Sequence, residues 1–78
     1  MNIQTEMSIP ELARCDIEGA MESIEACRQV KGMSMRALST AAGLRPTSYW
    51  GMVRSKEKMR AVKATTLAAL GYAVGLLP

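Results

Sequence analysis

Apolar residues recur at helical spacing along most of the chain, and nowhere alternate as they would in a strand. Residues 1 to 7 carry no period. Ser8 followed by Glu11 forms a capping box, and Ile9, Leu12 and Ala13 begin an apolar stripe that continues through Ile17, Met21, Ile24, Cys27 and Val30. Asp16 makes a good second N-cap, so the pattern predicts a break there, with Glu18 near the positive end of the main helix. Glu18, Glu22 and Glu25 fall on its outer face as ordinary exposed carboxylates. Arg28 and Lys31 finish it as helix-end cations, and Gly32 closes it. A second helix is expected from Met35 to Ala42, N-capped by Ser34, with Leu38, Ala41, Ala42 and Leu44 as its apolar stripe. A third is expected from Pro46 to Arg54, since proline suits a first helical turn. Residues 55 to 60 (SKEKMR) read as a charged loop. The last helix is expected to start near Lys63, burying Leu67, Leu70, Val74 and either Tyr72 or Ala73, beside Val62. Gly75 ends it, before an apolar tail of Leu76, Leu77 and Pro78.

These elements predict an all-α chain of four to five helices: an N-terminal extension over 1–15, able to form one short helix, and a domain over 16–78. Gly43, between the second and third helices, suits the positive φ of a sharp turn. On the third helix Tyr49, Met52 and Val53 share one face, and Thr47, Trp50, Gly51 and Arg54 share the other. Two short helices crossing at a glycine, the second with a polar and basic outer face, describe a helix-turn-helix.

The stretch from about Ile24 to Gly75 resembles the lambda-repressor-like, Cro-like family of small DNA-binding proteins. Ser39, Gly43 and the apolar Leu38, Leu44, Tyr49 and Met52 match that motif's small, turn and buried positions. The chain departs from it at Met35, where the family often has glutamine, and at Ser39, where it usually has alanine. Gly51 within the third helix and the ending Val53-Arg54-Ser55 are further departures. The resemblance implies a compact lambda-repressor-like fold, operator binding and repression by occluding a promoter.

Charge sharpens this picture. The net charge of +3 conceals a segregated chain. Residues 1 to 27 carry six acids against Arg14 alone, whereas residues 28 to 63 carry nine basic groups against the single acid Glu57. Such a basic middle seeks anions. The two cysteines, Cys15 and Cys27, and the absence of histidine leave too few ligands for a zinc site. They are expected to be buried thiols in a reducing cytoplasm. No metal, cofactor or catalytic role is expected, because no nucleophile has an evident base and no glycine loop cradles phosphate. No signal peptide or membrane span is expected.

Duplex DNA is therefore the expected partner. Arg45, Thr47, Ser48, Trp50 and Arg54 are the candidates for base readout in the major groove, with Arg45 or Arg54 bidentate to guanine. Ser34, Arg36, Gly51, Lys56, Lys58, Arg60 and Lys63 are the candidates for phosphate contacts, Gly51 by giving clearance to the backbone. Competing readings remain at three of these, and at Gly51 the alternative is a glycine that only weakens its helix, by roughly 1 kcal/mol relative to alanine. Arg54 has Glu57 at i+3 as an ion-pair partner, and Trp50 faces DNA, the edge of the core or a partner protein. A homodimer is expected, because one module reads only a half-site. Its contact is assigned to Tyr72, Val74, Leu76 and Leu77, with Ile9, Leu12 and Ala13 as the alternative. A rival in another class is a protein-binding module, such as an antirepressor or antitoxin, that shows Trp50 and the tail to a protein.

Overall fold

The computed structural model describes residues 16–78. The Ser8 capping box, Cys15 and the Ile9, Leu12 and Ala13 contact lie outside the described residues. Within them the chain is all-α, with five helices and no strand: α1 (Ile17–Lys31), α2 (Met35–Ala41), α3 (Ser48–Arg54), α4 (Lys56–Arg60) and α5 (Ala64–Ala73).

Side-chain caps fix the starts of α1 and α2. The Asp16 carboxylate accepts the Gly19 N–H, and Ser34 Oγ accepts the Ala37 N–H at 2.9 Å. Two glycine turns then set the path. Gly43, at φ 76°, ends α2 and lets the Leu44 N–H reach back to the Ser39 carbonyl at 2.9 Å. Gly75, also at φ 76°, does the same for α5 and brings the Leu76 N–H to the Gly71 carbonyl at 2.9 Å.

That second turn changes the fate of the tail. Val74, Leu76 and Leu77 are folded back and buried in the chain's own core. They join Ala20, Met21 and Ile24 of α1, Leu38 of α2, Tyr49 of α3, and Leu67 and Leu70 of α5. The assignment of Val74, Leu76 and Leu77 to a dimer contact is thereby corrected, since burying them inside the subunit satisfies the same hydrophobic drive. Tyr72 alone of that group is exposed, at 48%.

Four smaller expectations also shift. Helix α3 begins at Ser48, because Pro46 and Thr47 form a turn in which the Ser48 N–H bonds to the Arg45 carbonyl at 3.0 Å. Ala41 is exposed and leaves the α2 stripe, and Val53 sits at the edge of the core, 36% exposed. The charged stretch after α3 is a helix and not a loop. Ser55 Oγ accepts the Lys58 N–H at 3.3 Å, Glu57 lies in the first turn, and Met59 packs against the core.

Tyr49 is the joint between these pieces. Its side chain is fully buried, and both of its hydrogen-bonding ends are held by other helices. The Tyr49 N–H donates to Ser39 Oγ at 3.0 Å. Thr47 supplies no side-chain cap to α3, so the buried Ser39 of α2 serves as that cap from outside the helix. At its other end the Tyr49 hydroxyl donates to Glu25 Oε1 at 2.8 Å. Glu25 also accepts two bonds from Arg28, at 2.7 and 2.6 Å, and one from Gln29 at 3.0 Å. Arg28 in turn donates to the Met33 carbonyl at 2.6 Å, tying the turn after α1 to the same cluster.

Glu25 is thus a half-buried structural partner, not the exposed carboxylate that its position predicts, and Arg28, a last-turn cation of α1 as expected, is also its ion-pair partner. The Arg28 hydrogen bond is the largest cause holding the Glu25 carboxyl down to about 2, against the desolvation that opposes it. Desolvation first, and then the bond to Glu25, push the Tyr49 hydroxyl above its ordinary range, so it stays a neutral donor.

Two predictions follow from the joint. Ser39→Ala removes one oxygen and leaves the Tyr49 N–H unpaired in the core, which should cost about 1 kcal/mol by denaturant unfolding. Glu25→Gln should cost about 2 kcal/mol at neutral pH. A carboxyl whose pKa is lowered on folding stabilises above its unfolded value of 4.5 and loses that contribution as pH falls toward about 2. The melting temperature of the variant should therefore decline less steeply than that of the parent chain across that window.

Candidate nucleic-acid interface

The joint aims the outer face of α3. With Tyr49 inward, Trp50 and Arg54 point to solvent one turn apart, and Thr47 precedes them on the same face. The Arg54 guanidinium carbon lies over the Trp50 ring, 4.4 Å from its centroid. Arg54 forms no ion pair with Glu57. Among the described residues the ion pairs are Arg28 with Glu25 and Arg60 with Glu18. Trp50 itself is 49% exposed and does not close over the core.

Two concavities flank this stack. The larger, about 540 Å³, is walled by Arg45, Thr47, Ser48 and Gly51 from the turn and α3, by Lys58 and Ala61 from α4 and its end, and by Val62, Lys63 and Thr66 leading into α5. Three cations and three hydroxyl groups thus converge on one open surface, and neither ion pair involves any of them. The smaller, about 320 Å³, is a notch lined by Met35, Arg36, Pro46, Thr47 and Trp50. Thr47 belongs to both.

The expected site residues therefore separate. Arg45, Thr47, Ser48, Gly51, Lys58 and Lys63 are brought together in one cleft. Arg36, Trp50 and Arg54 lie beside it, and Ser34 caps α2 next to Arg36. Lys56 and Arg60 do not join them. Because α4 is helical, residues two apart project to opposite sides and residues four apart to the same side. Lys58 consequently faces the cleft, Lys56 lines a groove against α1, and Arg60 Nη2 reaches Glu18 Oε1 at 3.3 Å. Both remain exposed, but they stand on the α1 side of α4 and not with Lys58 at the cleft. Thr66 is a wall that the sequence reading did not pick out. Its signal was its i+3 spacing from Lys63 on the first turn of α5.

The α1 groove is a third surface, about 440 Å³, lined by Met21, Ala26, Val53 and Met59 with Glu18, Glu22, Glu25, Gln29 and Lys56 around them. Its acids are largely answered within the chain, Glu25 by Arg28 and Glu18 by Arg60. No helix among the described residues is long and apolar enough to cross a membrane.

A Cβ at Gly51 would come no closer than 4.0 Å to Lys58 Cδ and Nζ, so an alanine fits the chain alone. Compared with family models, with curated proteins and with solved structures, the chain matches none.

Gly51 offers a test of what the cleft is for. Gly51→Ala should raise the stability of the free chain by about 0.5–1 kcal/mol, through helix propensity, in thermal unfolding. If the cleft takes a phosphate backbone, the same change should weaken duplex DNA binding measured by fluorescence anisotropy, because the added methyl stands where that backbone would approach.

Proposed function

We propose that the chain is a sequence-specific DNA-binding regulator of transcription, a Cro-like repressor that binds a pseudo-palindromic operator as a dimer in the bacterial cytoplasm. The observation that carries this reading is the convergence of Arg45, Lys58 and Lys63 on one cleft beside the outward face of α3. A helix with exposed side chains fits the major groove, and flanking cations that pair with no acid among the described residues follow the phosphates. Arg36 extends the cationic rim past the notch on the other side of Trp50. In this reading Arg45, Thr47, Ser48, Trp50 and Arg54 meet base edges. Ser34, Arg36, Gly51, Lys58 and Lys63 meet the backbone. The resemblance of residues 24 to 75 to the lambda-repressor-like family supports the same assignment. Two-fold pairing matches a two-fold operator, and exposed Tyr72 is the residue of the expected contact still available for it.

A second reading has one observation in its favour. The groove between α1 and α4 is floored by Met21 and Met59 and edged by the exposed Val53 beside carboxylates, as a surface for a protein partner would be. An antirepressor or antitoxin would use that surface and be indifferent to the cationic cleft.

Salt separates the two. With Arg36, Lys58 and Lys63 of each subunit neutralising about six phosphates per dimer, affinity for duplex DNA should fall on the order of 1,000-fold between roughly 50 and 200 mM salt. An affinity flat across that range, or no mobility shift at all, would remove the DNA reading. Within it, Arg54→Ala should erase the preference for selected over random duplexes, at a loss of about 1–3 kcal/mol. Lys58→Ala should weaken binding to both alike. Equal behaviour of the two variants would overturn the division of labour across α3.

A further inference from the structure

The duplex-DNA reading, on which this inference rests, leaves open what the Trp50 side of the interface distinguishes. The indole has two neighbours of different character. Arg54 lies over its ring at 4.4 Å, and the notch beside it is walled by Met35, Arg36, Pro46 and Thr47, with Arg54 not among the walls. Stacking on a rigid ring restrains the guanidinium, a long side chain that otherwise samples many rotamers, and leaves its N–H edges free. A planar fork held in this way suits the O6 and N7 of guanine, the commonest specific contact in the major groove. The notch is suited to something else. Its walls are a thioether, a proline ring, an indole and the stems of Arg36 and Thr47, so it rewards a small apolar group. The major groove presents one such group, the 5-methyl of a pyrimidine.

We propose that Trp50 and Arg54 act as one unit that reads a guanine next to a 5-methylpyrimidine, Arg54 on the guanine and the Trp50 notch on the methyl. The flanking charges agree with a nucleic-acid occupant. Arg36 stands at the notch itself, and the cleft of Arg45, Lys58 and Lys63 continues from the shared wall Thr47. Met35 then has a use. The residue stands where the resembled family often has glutamine, and its thioether supplies an apolar wall that an amide would not.

The test uses the full chain and the tightest duplex recovered by selection from a random pool. Each thymine is replaced in turn by deoxyuridine, which removes only the 5-methyl. One thymine per half-site, adjacent to a guanine, should show binding about fourfold weaker, the equivalent of one buried methyl. Exchanging that T·A pair for C·G should cost at least as much, and 5-methylation of the new cytosine should recover about fourfold. Trp50→Ala should abolish the thymine-to-uracil difference. Should that variant bind too weakly to measure, Met35→Ala serves instead and should shrink the difference. A scan with no sensitive thymine, or a difference that survives opening the notch, overturns the inference while leaving DNA binding intact. Failure to recover any duplex overturns both.

Discussion

Everything the outer face of α3 does depends on how Tyr49 is held. A seven-residue helix has little stability of its own, and this one starts without a side-chain cap. Its orientation is imposed from outside, by Ser39 on the Tyr49 amide and by Glu25 on the Tyr49 hydroxyl, at opposite ends of the residue. Two bonds at separate points of one residue fix both where the helix sits and how it is rolled about its axis. The roll decides which residues face solvent. With Tyr49 pinned, Trp50 and Arg54 have no inward alternative. No buried side-chain nitrogen or oxygen among the described residues lacks a partner, so the polar joint is closed as well as buried.

The same geometry divides the basic segment into two populations. Lys58 and Lys63 stand with Arg45 around the cleft, while Arg60 and Lys56 turn toward the carboxylates of α1. An exposed pair such as Arg60 with Glu18 contributes little to stability. Its effect is on distribution. It neutralises charge on the α1 side and leaves the cleft side with the cations that have no ion pair among the described residues. The dipolar character of the chain therefore arises from the helical phase of five residues as much as from the count of lysines and arginines.

Local chemistry was readable from the residues alone: the caps at Asp16 and Ser34, the turn at Gly43, the burial of Tyr49 and the outward face of Trp50. What escaped was set by distance or by context. Glu25 and Tyr49 lie 24 residues apart, and nothing near either one announces the other. Ser39 looks like a neutral replacement for alanine until α3 is seen to want a cap. The run from Ser55 to Arg60 is so charged that it reads as solvent-exposed, yet its serine, glutamate and methionine are spaced for one helical turn. Leu76 and Leu77 present the same apolar pattern whether they meet a second subunit or fold back, and only the turn at Gly75 decides between the two. The candidate site was legible as a set of residues but not as a shape. Splitting Lys58 from Lys56 required knowing that the segment between them coils.

The position of the lone indole has a practical corollary. In many small proteins tryptophan lies in the interior, and its emission follows unfolding. Here the chain's single tryptophan is half-exposed beneath a guanidinium, on the opposite face of α3 from its buried neighbour Tyr49. Its emission therefore samples the solvent side of α3, whereas the environment of Tyr49 is that of the interior.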